Sequence, residues 1–97
     1  MAETIYKANV GNLCTRQLIA DTIISCVDSQ LKKHDIQKYQ KFAKTDALAG
    51  YYFNNQSAEV LVSNNNGEVR VSISGDERQI KKTKSKLLKI VGGLELS

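Results

Sequence analysis

Eleven of the fourteen basic residues lie in two short segments, and that clustering is the strongest chemical signal in the chain. Lys32, Lys33, Lys38, Lys41 and Lys44 bring residues 30–44 to a net +4, while Arg78, Lys81, Lys82, Lys84, Lys86 and Lys89 bring residues 76–97 to +3. Two such helical segments packed side by side would form one surface able to neutralise several phosphates, with an affinity that falls as salt rises. Ten of the eleven are Lys. An ammonium positions a phosphate backbone but lacks the planar fork by which Arg reads base edges, so weak sequence selectivity is expected. Tyr52, next to Tyr51 and Phe53, is a candidate platform for an unpaired base. The expected nucleic-acid contacts are therefore Lys32, Lys33, Lys38, Lys41, Arg78, Lys81, Lys82, Lys84, Lys89 and Tyr52. The competing reading is plain: lysine solubilises the outer face of any amphipathic helix and suits its C-terminal dipole.

Other chemistry is excluded by residue type. His34 is the one histidine, and with two cysteines it leaves too few soft ligands for a tetrahedral zinc site. Gly75-Asp76-Glu77-Arg78 lacks the Lys-Ser or Lys-Thr ending of a phosphate loop, and Gly92-Gly93 follows a helical pattern instead of leading one. Cys14 is the sole candidate nucleophile, placed before Thr15 and Arg16 where a helix start could favour a thiolate. Burial as a small apolar side chain is the simpler role for it, as it is for Cys26. The two thiols, twelve residues apart, are expected to be free. No catalytic residue, cofactor or metal is expected.

Ninety-seven residues suit one domain and one core, and 41% hydrophobic with 25% charged residues is an ordinary globular composition. Met1-Ala2-Glu3-Thr4 does not open a secretory signal and no apolar run reaches the ~20 residues of a membrane span, so a cytoplasmic protein without membrane contact is expected. Thr4 to Val10 reads as a strand. Leu18, Ile19, Ile23, Ile24, Val27 and Leu31 recur with a helical period behind Thr15 as cap. Ile36, Tyr39, Phe42, Ala43 and Ala47 do the same behind Asp35, which predicts a second helix ending before Gly50. Gly50 to Phe53 reads as a short strand turning at Asn54-Asn55-Gln56.

The clearest local signal is a β-hairpin, Ala58 to Ser63 and Glu68 to Ser74 around Asn64-Asn65-Asn66-Gly67. Two registers keep one apolar face: Val60 opposite Val71 and Val62 opposite Val69, or Val60 opposite Ile73 and Val62 opposite Val71. Asp76 with Gln79 resembles a capping box for a last helix through Ile80, Leu87, Leu88 and Val91, leaving residues 94–97 as a flexible tail. The result is a single small α+β domain over 1–97, in the order β-α-α-β-β-β-α, with helices packed on one face of a mainly antiparallel sheet. This order resembles that of a KH domain, whose Gly-x-x-Gly loop between its first helices clamps single-stranded nucleic acid. At that place this chain has Lys32-Lys33-His34-Asp35, with no glycine.

Two function classes follow. One is a small non-enzymatic protein that docks its basic helices on nucleic acid or a nucleic-acid-bearing complex. The other is a protein-binding module, such as an inhibitor, adaptor or small subunit of the kind viruses and phages use. It would contact an acidic protein surface, or use a sheet edge or its Asn-rich loops.

Overall fold

Val60, Val62, Val71 and Ile73 alternate with mostly polar neighbours, Leu61 being the exception, and in the computed structural model, which describes residues 2–10, 16–39 and 46–97, all four are completely buried. They belong to strands β4 (Ala58–Asn65) and β5 (Glu68–Gly75). The hairpin takes the second register, with Val60 opposite Ile73 and Val62 opposite Val71. Backbone geometry explains why. Asn66 and Gly67 adopt φ of 53° and 80°, the left-handed pair demanded by a two-residue turn whose twist matches that of its strands.

The remaining elements are β1 (Ala2–Val10), α1 (Arg16–Asp28), β2 (Gln37–Tyr39), β3 (Ala47–Phe53), α2 (Glu77–Ile90) and β6 (Leu94–Leu96). The six strands form one antiparallel sheet in the order β2-β3-β4-β5-β1-β6. With two helices this makes a small, compact α+β domain with a radius of gyration of 12.2 Å. Among the described residues, no helix is long and apolar enough to cross a membrane.

Strand alternation divides the sheet into two faces. One carries Tyr51, Val60, Val62, Val71 and Ile73, and it meets the core residues Ile23, Val27, Ile80 and Leu87 of the helices. Asp28, at the end of α1, accepts a hydrogen bond from Tyr51 Oη at 2.8 Å, and Lys84 of α2 stands 4.6 Å from the ring centroid of Tyr6 on that same face. Burying each large apolar side chain contributes about 1.5–3 kcal/mol relative to exposure.

Three expectations are overturned. Between Asp28 and Ala47 the described residues hold turns and β2, and no helix, so the order β-α-α-β-β-β-α and the KH-like order built on it both fail. Phe42 and Ala43 lie outside the described residues. Ile36 is buried and its amide closes the preceding turn onto the Leu31 carbonyl, which directs Gln37–Tyr39 along the edge of β3 instead of into a helix. The tail is not loose either: Leu94 to Leu96 pair with Val10 to Ala8, and Ser97 and Lys7 exchange both backbone hydrogen bonds. Cys26 is a free, half-buried thiol, whereas Cys14 and Thr15 fall outside the described residues.

Candidate functional site

Helix α2 begins where Asp76 accepts a hydrogen bond from the Gln79 amide at 2.8 Å, satisfying one of the amide donors that a helix start leaves open. Its buried stripe of Ile80, Thr83 and Leu87 fixes which side faces the sheet. At 100° per residue, Arg78, Lys82 and Lys89 then fall within about 40° of one another on the solvent side, along about 16 Å of helix. All three are exposed, as is Lys81. Lys84 is not: it is half-buried over Tyr6, where an ammonium on an aromatic face contributes about 0.5–1 kcal/mol or more.

Gln79 does not complete a capping box, because its side chain is used elsewhere. Asn54 Nδ2 donates to Gln79 Oε1 at 3.0 Å and to Thr83 Oγ1 at 3.2 Å, while Lys86 Nζ donates to Asn54 Oδ1 at 2.7 Å. Ser57 Oγ lies 2.7 Å from the Asn54 carbonyl and 3.1 Å from Gln79 Oε1. These bonds tie the β3–β4 turn to α2. They also hold a costly backbone, since Asn54, Asn55 and Gln56 take φ of 54°, 55° and 69° in succession, a left-handed run that side chains other than glycine resist by about 1 kcal/mol or more each.

The turn that follows α1 comes to the same place. His34 and Asp35 join Asn54, Asn55, Ser57, Gln79, Lys82 and Lys86 around a cleft of about 310 Å³. The Lys82 and Lys86 ammonium groups and the His34 imidazole share the lining with a single carboxylate, Asp35, and this positive bias suits an oxyanion, while the Asn54 amide hydrogens are already given to Gln79 and Thr83. A neighbouring cleft of about 490 Å³ shares Asp35 and Asn55 and continues past Lys32 and Gln56. Lys33 is exposed in the same turn. His34, Asn54, Gln79 and Lys86 were not among the expected contacts; nothing local in the sequence joins residues 34, 54 and 86, which long-range packing brings together.

The rest of the expected set separates. Lys38 lies on β2, not on a helix, and its ammonium sits 3.0 Å from Asp28 Oδ2 and 5.8 Å from the centre of the Tyr51 ring. Lys41 lies outside the described residues. Tyr52 points to the other face of the sheet, away from α2, where its ring meets that of Tyr39 with centroids 4.8 Å apart. Tyr39 Oη donates to Glu59 at 3.0 Å. Burial first, and then that bond to a carboxylate, push the Tyr39 phenol well above its ordinary pKa, and burial with the Asp28 bond does the same to Tyr51. On the Tyr52 side, Glu68 is held below the usual carboxylate range by its 2.7 Å bond from Arg70, with Lys7 at 3.4 Å.

No protein-family model, curated protein or solved structure matches the chain.

Proposed function

We propose that this chain is a non-enzymatic binding protein that grips the phosphate backbone of nucleic acid through the outer stripe of α2 and the turn carrying Lys32, Lys33 and His34. The observation that carries this reading is the convergence of His34, Lys82 and Lys86 on one polar cleft beside exposed Arg78 and Lys89. The two helices act as one layer on a single face of the sheet, so the cations are presented together. Recognition is of backbone and not of bases, because the cations are mostly ammonium groups and Tyr52 lies on the opposite face. Lys38 and Lys84 serve the fold.

The test is a salt series of binding to labelled single-stranded and duplex nucleic acid. Changing Arg78, Lys82 and Lys89 together to Glu leaves the melting temperature near that of the parent and lowers affinity for every sequence. It also reduces the slope of log K against log salt by about two to three, one increment of about 0.7 to 0.9 for each lost phosphate contact. A parent with no affinity at low salt, or a triple variant that binds as the parent does, overturns the reading. A protein-binding module is the second reading, favoured by the outer edge of β1, where β6 covers Lys7 to Val10 and, among the described residues, no strand pairs beyond it along Ala2 to Tyr6.

A further inference from the structure

We infer that the sheet face opposite the helices is a self-association surface on which two copies of this chain pack face to face about a two-fold axis. The face is laid out in rows across the strands. The central row runs Tyr39, Gly50, Leu61, Ser72, Ile5. Ile5, on this row, is 53% exposed, the most open large hydrophobic side chain among the described residues. Both helices lie against the other face, so among the described residues no layer covers Ile5 and Leu61, although Gly50 and Ser72 between and beside them are already buried by their neighbours.

Charge decides what fits it. Two residues along the strands to one side lies a row with Glu59, Ser74 and Glu3; two residues to the other side lies a row with Ser63, Arg70 and Lys7. The first row carries two carboxylates. In the second, Lys7 and Arg70 share the single carboxylate of Glu68, leaving that end positive. A surface with Ile5 and part of Leu61 in the middle, negative at one end and positive at the other, is complementary to itself turned end over end. An axis lying along the central row, perpendicular to the strands, performs that turn. It sets Glu3 of each copy over Lys7 of the other, Ile5 over Ile5 and Leu61 over Leu61, as an isologous contact requires. The strands stay nearly aligned, the usual geometry of stacked sheets. The face spans about 19 Å across five strands and about 13 Å between the outer rows, roughly 250 Å² per copy, which is below the usual size of specific interfaces, so the dimer is a weak and transient one.

Sedimentation of the purified chain over about 1 µM to about 1 mM tests this. The weight-average mass is expected to climb from 10.8 kDa towards twice that value. Ile5→Glu should hold the mass at the monomer value without lowering the melting temperature. Glu3→Lys and Lys7→Glu should each weaken association about tenfold, because every change occurs twice in a two-fold dimer, and the double variant should restore it. Residues 3 and 7 stand about 13 Å apart along one strand, so rescue cannot arise within a single copy. A mass of 10.8 kDa at every concentration overturns the proposal. So does association that Ile5→Glu leaves unchanged, or a double swap that fails to restore what the single swaps removed.

Discussion

Replacing Gly50 with Ala should destabilise the protein by about 1–2 kcal/mol, and the sign should reverse once Tyr39 is removed. Gly50 needs no unusual backbone angle; it is a glycine because the Tyr39 side chain, one strand away, occupies the space a Cβ would take. A Cβ built there would clash with the Tyr39 ring and lie 2.6 Å from the phenolic oxygen. The ring must then leave. Its departure loses the hydrogen bond to Glu59, about 1 kcal/mol, and the contact with Tyr52, about 0.5–1.5 kcal/mol. Against this, alanine restricts the unfolded chain and gains about 0.4–1 kcal/mol wherever its side chain fits. In a Tyr39→Ala background only that gain remains, so Gly50→Ala should stabilise by about 0.5 kcal/mol and the two substitutions should couple by about 2 kcal/mol. Urea unfolding of the four proteins, compared at equal m-value, measures this cycle. A coupling energy near zero would mean that Tyr39 does not rest on Gly50, and the aromatic corner of the open face would lose its physical basis.

Gly67→Val should lower stability by at least about 1–3 kcal/mol, since a β-branched residue resists the left-handed conformation that this turn position requires; a melting temperature equal to the parent's would refute the turn geometry. Alkaline titration should show Tyr39 and Tyr51 ionising later than an ordinary tyrosine with pKa 10.0. Their folded values are raised, so the stability they contribute is complete below pH 10.0 and is lost as the pH climbs through the folded values. Tyrosinate absorbance from these two of the four tyrosines should therefore appear together with loss of circular dichroism, and an early, single-step titration of all four in a folded chain would contradict it.

The hairpin and α2 were legible because each declares itself within a few residues, through alternation around Asn66-Gly67 in one and a capped 3.6-residue period in the other. The predicted second helix shows where local reading fails. Ile36 and Tyr39 stand three apart, which is helical spacing, yet they do different jobs: Ile36 anchors a turn in the core and Tyr39 covers a glycine on the far face. A three-residue strand has too few positions to display a period, and its pairing with Gly50 to Tyr52 is invisible until β3 is in place. Leu94 to Leu96 escaped notice for the same reason, needing β1 as a template. The lysines of α2 could be read as an outer stripe. That His34 would stand beside Lys82 and Lys86 could not, because the left-handed turn at Asn54 to Gln56 that helps build the cleft is held by bonds across more than twenty residues.

The helical side and the open side face opposite directions, and this separates what each can contribute. Association through Ile5 and Leu61 leaves the α2 stripes of both copies pointing away from each other, with two sheets between them. The second stripe then adds nothing to the grip on a short, straight nucleic acid that already lies along the first. Effective concentration favours a second contact only when the tether between the sites can span them. Such a dimer would therefore gain from a nucleic acid long or flexible enough to return to the far side, or from two separate segments, which it would hold apart by the thickness of two domains. Each such domain measures 23 Å along its shortest axis. If both proposals hold, the pair would bridge nucleic acid, and the two surfaces could be separated: charge reversal on α2 should remove the grip and leave the pair intact, and a charge at Ile5 should remove the pair and leave each grip intact.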